Sequence, residues 1–315
     1  MSRFAFTKGA HDLGGGAWAY LQPDGGWGWS NAGLIKDGEA CLLVDTLFDE
    51  RLTAEMLAAL KDAAGVGVKD IATLVNTHAN GDHTYGNRLV EHAEIIASEA
   101  SAAEMDEVPP AMLAMLAAQA PNMGALGTYF LEAFGRFDFA GVTFCPPNRT
   151  FSGTLDLRVG DTEVRLIEVG PAHTRGDVLV HVPGQRVVYT GDVLFIDSTP
   201  IMWAGPVGNW LKALDLILEM NVDVIVPGHG PITDKAGVKR VRDYLAFIDA
   251  EARPRFEAGM SVEEAARDIP LGDYEAWGEA ERIAVNVDTL FRDYRGDDTP
   301  ANVMQLFTLM ASLKG

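Results

Sequence analysis

Apolar residues recur along this chain in two rhythms. Short β-branched or apolar runs at 42–44, 71–75, 164–169, 187–189 and 222–226 have the length and bounding turns of buried strands. Between them, 50–63 places Leu52, Met56, Leu57 and Leu60 at helical spacing, an outer helix with one buried face, and 207–220 predicts a second helix. The strand–helix alternation runs from Leu34 to Ala97 and then breaks. Residues 98 to about 148 read as a helical insertion rich in Met105, Met112, Met115 and Met123 and in Tyr129, Phe130, Phe134, Phe137 and Phe139. From Lys235 onward the pattern is helical again. Residues 238–251 are amphipathic, Ser261-Val262-Glu263-Glu264 is a capping box opening a short helix, and helices are expected at 279–294 and 302–313. The expectation is an α/β chain with a catalytic domain over 1–233, interrupted by an insertion over about 98–150, and a helical extension over 234–315.

Chemistry collects where the strands stop. The run 71–75 leads into His78-Ala79-Asn80-Gly81-Asp82-His83-Thr84, which holds two imidazoles and a carboxylate within one tight loop. Taken alone, that loop could be a polar segment capping the next helix. Three further strand ends repeat the theme: His173 in a Gly/Pro turn, Asp192 after Thr190-Gly191, and His229 between Gly228 and Gly230. Glycine beside each ligand type permits a sharp turn and close backbone approach. Imidazole and carboxylate suit zinc and related divalent ions. Four such loops point to a metal centre.

In the order and spacing of these motifs, together with an early strand ending Leu42-Leu43-Val44-Asp45-Thr46, the chain resembles the metallo-β-lactamase superfamily from about Ala32 to Gly230. The resemblance implies an αββα sandwich with one or two metal ions along one edge. Carried over by position, it implies His78 and His173 at a first metal, Asp82, His83 and His229 at a second, and Asp192 bridging both. It implies for Asp45 the acid that steadies a ligating histidine through its other ring nitrogen. One position departs from the family's His-x-His-x-Asp-His loop: the middle histidine is Asn80. An amide oxygen is a weaker and harder ligand than imidazole. Asn80 would be a feeble fourth ligand or only a hydrogen-bond partner, leaving either one occupied site or two of unequal affinity. The change could also favour manganese or iron over zinc.

A bound divalent ion lowers the pKa of its water from 15.7 to about 7 and polarises a carbonyl or phosphoryl oxygen. Asp82 or Asp192 would orient the attacking hydroxide and pass its proton to the leaving group. The expected activity is hydrolysis of an ester, lactone, thioester or amide bond (β-lactams included) in a small, partly apolar substrate. The competing expectations are an iron-dependent, oxygen-activating enzyme on the same fold and a catalytically impaired binding protein. Candidate pocket residues are Trp27 or Trp29 from the aromatic N-terminal stretch, and Phe195, Met202 and Trp203 from the loop after Asp192. Arg175 would hold a substrate anion or make a surface ion pair. The insertion would be a lid, a cover for sheet surface or a dimer contact, and the histidine-free tail is given no catalytic role.

Composition narrows the partners. A net charge of −20 over 315 residues disfavours nucleic acid and anionic membrane surfaces. Apolar content of 48% supports a sizeable core. Two cysteines, Cys41 and Cys145, make no disulfide framework and suggest a reducing compartment. The first nine residues lack the apolar core of a leader, and no run approaches the roughly 20 apolar residues of a membrane span. Cytoplasm is the expected location, with a small-molecule substrate and a homodimer as an option.

Overall fold

In the run Cys41-Leu42-Leu43-Val44, Cys41 and Leu43 enter one apolar cluster, while Leu42 and Val44 enter another. Side chains alternate across a strand, so a strand apolar at every position must be covered on both faces. The same division holds for Leu34 against Ile35, Leu74 against Val75, and Ile95 against Ile96. A second set of strands divides likewise, with Val188 and Ile225 facing one cluster and Val187, Tyr189, Val224 and Val226 the shared one.

The computed structural model describes residues 4–314, so residues 1–3 of the stretch read for a leader lie outside the described residues. Two sheets stack on the shared cluster. In the first, β1 (Gly9–Gly14), β2 (Ala17–Leu21), β3 (Ala32–Asp37) and β4 (Ala40–Val44) are antiparallel neighbours. Parallel to β4 follow β5 (Thr73–Val75), β6 (Glu94–Ser98) and β7 (Arg149–Phe151). The second sheet joins β8 (Thr154–Val159), β9 (Thr162–Glu168), β10 (Val178–Val182) and β11 (Val187–Tyr189) antiparallel, with β12 (Val224–Val226) parallel to β11.

Helices cover both outer faces. Leu52, Met56, Leu57 and Leu60 of α1 (Glu50–Ala64) bury against the first sheet, as the spacing predicts. Asp49 caps this helix by accepting from Leu52 N at 2.6 Å. After the short α2 (Gly81–Thr84), the insertion forms α3 (Glu99–Glu104), α4 (Pro110–Gln119) and α5 (Gly124–Phe134). Its Phe130, Phe134, Phe137 and Phe139 join Phe48 and Tyr85 outside the first sheet. The insertion therefore covers sheet surface, while Met112 and Met115 of α4 remain exposed.

On the far side lie α6 (Val207–Glu219), α7 (Lys235–Glu257), α8 (Val262–Asp268), α9 (Ile283–Arg295) and α10 (Val303–Lys314). Trp210, Leu214 and Ile217 of α6 share one cluster with Val241, Leu245 and Ile248 of α7 and Val287, Leu290 and Phe291 of α9. The helices expected as an extension thus share the core of the second sheet's outer layer. The capping box before α8 is present, with Ser261 N donating to Glu264 Oε2 at 2.8 Å. Both cysteines are free, Cys41 being buried. No described helix is long and apolar enough to cross a membrane.

Candidate metal centre

Neighbouring strand ends concentrate the polar residues. Beyond β4 lies Asp45, beyond β5 lies His78, beyond β11 lies Asp192, and beyond β12 lies His229. Two glycines are required by close approach. A side chain at Gly228 would collide with Asp192 Oδ1 and with the Gly191 backbone. One at Gly191, which has φ 49°, would strike Thr77 Oγ1. Two residues outside the sequence motifs tie the loops together. Ser30 Oγ donates to Asp82 O at 2.5 Å, and Asn31 Nδ2 donates to Pro227 O at 3.0 Å and Gly230 O at 2.8 Å, bracketing His229.

Four buried imidazoles present the same nitrogen inward. His173 Nδ1 sits 2.6 Å from Ile201 O and His229 Nδ1 3.1 Å from Gly25 O. A carbonyl only accepts, so both rings carry the proton on Nδ1. His83 Nδ1 faces Asp45 Oδ2 at 2.8 Å. Thr77 Oγ1 spends its proton on Asp45 Oδ2 at 2.7 Å and therefore accepts from His78 Nδ1 at 3.1 Å. All four Nε2 atoms are left to converge on Asp192. The distances to its carboxylate are 3.1 Å from His83, 3.3 Å from His173, 3.5 Å from His229 and 3.7 Å from His78. Asp82 Oδ2 lies 3.2 Å from His229 Nε2 and 3.9 Å from His83 Nε2.

Burial opposes charge throughout this cluster. Even so, the surrounding imidazoles hold Asp192 well below the usual carboxylate range. Burial pushes His78 well below its usual value, whereas for His83 burial is outweighed by Asp192, Asp45 and Asp82, which hold it well above. Among the described residues, His78 Nε2, His83 Nε2 and Asp192 Oδ1 are buried without a hydrogen-bond partner outside the cluster. Orphaned buried polar atoms are costly, and a divalent cation would satisfy all three at once. One ligand atom each from His78, His83 and Asp192 lies within 4.8 Å of the others, and the same holds for Asp82, His83 and His229. The residues present fit a metal ion.

Residues 25–229 match the family model described as "Metallo-beta-lactamase superfamily". The chain belongs to the metallo-β-lactamase superfamily. It is 23% identical over 268 residues to a linear primary-alkylsulfatase of Pseudomonas sp. (strain ATCC 19151), covering 76% of this chain and 49% of that one. It is 23% identical over 223 residues to a metallo-beta-lactamase type 2 of Bacillus sp. (strain 170), covering 69% and 72%. Among solved structures, the inverting sec-alkylsulfatase Pisa1 of Pseudomonas sp. superposes with a TM-score of 0.67 at 18% identity, over 94% of this chain and 52% of that one. The chain spans about half the length of these alkylsulfatases. At such identities the likeness shows the superfamily fold.

Within that fold, His78, Asp82, His83, His173, Asp192 and His229 come together. Asn80 joins them through its amide: Nδ2 lies 3.3 Å from His173 Nε2, a hydrogen-bond contact. Asp45 reaches His83 from a left-handed backbone at φ 61°, a costly conformation outside glycine. Phe195 stacks on the His229 ring at 5.2 Å and 8°. Trp27 packs on Phe134 and Phe307, Trp29 on Phe137, and Trp203 on Phe307, each tryptophan half-buried. Met202 departs from its expected place in the pocket, and Arg175 takes the ion-pair alternative. Met202 is fully buried in the core behind the site because its neighbours are drawn inward by α9. Arg175 donates to Glu107 at 2.5 Å and pairs with Glu104 at 3.3 Å, so its guanidinium serves an ion pair with the insertion.

Sequence reading missed the groups that grip the loop after Asp192. Arg282 is buried, with its guanidinium 4.2 Å from the Trp27 ring centre and 5.3 Å from that of Phe195. It donates to Thr199 O at 2.9 Å. Arg282, Asn286 and Thr289 stand at i, i+4 and i+7 on an otherwise apolar stretch, and that polar stripe is the signal that could have revealed them.

Proposed function

We propose that this protein is a metal-dependent hydrolase acting on an ester-type carbonyl bond (ester, lactone, thioester or β-lactam) of a small, partly apolar molecule. The observation that carries the reading is the set of buried, unpartnered Nε2 and Oδ1 atoms of His78, His83 and Asp192, beside Asp82 and His229. His78, His173 and Asp192 would hold one ion and Asp82, His83 and His229 another. The imidazole–carboxylate donor set suits zinc, with manganese or iron as the alternative where Asn80 replaces an imidazole. When bound, such an ion supplies a hydroxide nucleophile at neutral pH and a Lewis acid for the substrate oxygen.

The chain's own residues divide the remaining work. Asp192 is enclosed by four imidazoles, which hold its carboxyl well below the usual carboxylate range and disfavour its protonation. The Asp82 side chain keeps 12% of its surface exposed against 3% for Asp192. Asp82 is therefore the carboxylate that takes the proton of the attacking water and returns it to the leaving group. Trp27, Trp203 and Phe307 supply an aromatic surface for an apolar substrate portion.

The similarity to alkylsulfatases favours a second reading, sulfate-ester hydrolysis. A sulfate needs cationic contacts. Arg175 is paired with two glutamates and Arg282 is buried on Thr199 O, which supports the carbonyl reading over this one. A panel of carboxylic esters, lactones, thioesters, β-lactams and alkyl sulfates, run beside elemental analysis of the protein, tests the choice. Turnover of a carbonyl substrate that stops on chelation supports the proposal. Turnover of alkyl sulfates alone, or protein without metal and without turnover, contradicts it.

A further inference from the structure

We infer that Asn286 on α9 is a positioning residue for His173, acting through the peptide that joins Ile201 to Met202. The inference rests on the hydrolase reading only in giving His173 a metal to bind. Ile201 C=O and Met202 N–H belong to one planar peptide unit. The carbonyl end accepts from His173 Nδ1 at 2.6 Å, and the N–H end donates to Asn286 Oδ1 at 2.9 Å. Whatever holds the N–H end therefore sets the direction of the carbonyl, and the carbonyl sets both the tautomer and the tilt of the imidazole.

Asn286 is itself fixed. Its Nδ2 donates to Pro200 O at 2.9 Å and meets the Tyr244 hydroxyl at 3.0 Å, and it is fully buried. Thr289 on the same helix and Arg282, just before its first residue, secure the adjoining peptides. Thr289 Oγ1 donates to Met202 O at 2.6 Å, and Arg282 Nη1 donates to Thr199 O at 2.9 Å. From its other side the loop is bonded to the same histidine, with Trp203 N and Ala204 N donating to His173 O at 3.0 and 3.1 Å. Segment 199–204 is thus stretched between the polar stripe of α9 and the two ends of His173. A carbonyl held this way keeps the proton on Nδ1 and leaves the Nε2 lone pair aimed at Asp192, 3.3 Å away. In this way α9 contributes geometry to the ligand cluster without supplying a ligand.

Two readouts test this in the 315-residue chain. Long-range proton–nitrogen NMR of the imidazoles, before any metal is added, reports the His173 tautomer directly. Competition with a chromophoric chelator reports affinity for Zn2+. In Asn286→Ala, a mixture of His173 tautomers and about tenfold or greater loss of Zn2+ affinity are expected, the size seen when a ligand's supporting hydrogen bond is removed. Thr289→Val removes the bond to Met202 O, along with the one accepted from Arg292 Nη2, at nearly constant volume and should shift both readouts less, in the same direction. Asn286→Asp keeps an acceptor for Met202 N–H and should keep the Nδ1–H tautomer. An unchanged His173 tautomer in folded Asn286→Ala, or its loss in Asn286→Asp, overturns the inference. A parent protein that binds no Zn2+ counts against the hydrolase reading, while the NMR test of Asn286 stands apart from it.

Discussion

Asp45 Oδ2 and His83 Nδ1 are 2.8 Å apart, and the same carboxylate accepts from Thr77 N and Thr77 Oγ1, each at 2.7 Å. Three donors on two oxygens require a carboxylate, because an amide oxygen serves one side only and its NH2 would face a donor. Asp45→Asn retains the size and tolerates the left-handed backbone, so it isolates this chemistry. We expect a loss of about 10–100-fold in affinity for the ion held by Asp82, His83 and His229. Isothermal titration with Zn2+ checks it, and undiminished affinity would remove Asp45 from the site.

Asn80 stands among the converging imidazoles and meets His173 Nε2 as a hydrogen-bond partner at 3.3 Å. Restoring imidazole with Asn80→His should add a ligand beside His78 and His173. Tighter binding of a second ion, and metal content rising toward two per chain, are expected by elemental analysis. Unchanged stoichiometry and affinity would show that Asn80 does not limit the first site.

Gly228 is pressed against Asp192 and Gly191 so closely that a methyl group cannot enter without moving backbone. Gly228→Ala should destabilise the fold by about 1–3 kcal/mol, the usual cost of overpacking. Because the obstructed atom is Asp192 Oδ1, metal content should fall along with the urea midpoint. A stable variant with full metal content would mean that β12 can shift freely at its end.

Burial pushes the Asp177 carboxyl up to about 7 where it accepts from Thr174 and Ala172, the residues flanking His173. An unfolded aspartate titrates near 3.9. Between these values the folded chain binds the extra proton, so this group's contribution favours folding most at the acid end and declines as pH rises toward 7. The slope is at most about 1.4 kcal/mol per pH unit. Urea midpoints of the chelated protein at pH 5, 6 and 7 should fall more steeply for the parent than for Asp177→Asn. Parallel pH profiles for the two would exclude Asp177 as the source.

Strand ends were legible because each ligand type follows an apolar run and neighbours a glycine, which exposes Asp82, His83, Asp192 and His229 to local reading. The αββα layering was legible only through the resemblance to the superfamily, and strands buried on both faces match it. Ser30 and Asn31 were not legible, since they bind backbone atoms distant in sequence, as Asn31 does in reaching Gly230; for Asn286 and Thr289 the polar stripe was visible but its target at Met202 was not. Main-chain partners leave no mark in side-chain identity. Met202 misled for the reverse reason. Its place in a loop beside the site said nothing of the α9 contacts that draw it into the core.

The ratio kcat/KM of His83→Ala at saturating metal, on whichever substrate the parent turns over, tests the central claim most directly. His83 Nε2 contributes to both groups of converging ligand atoms, so its removal disturbs them together. The account predicts a loss of about 10²-fold or more, since misplacement of reacting groups alone costs that much. A folded His83→Ala protein with undiminished kcat/KM would contradict it.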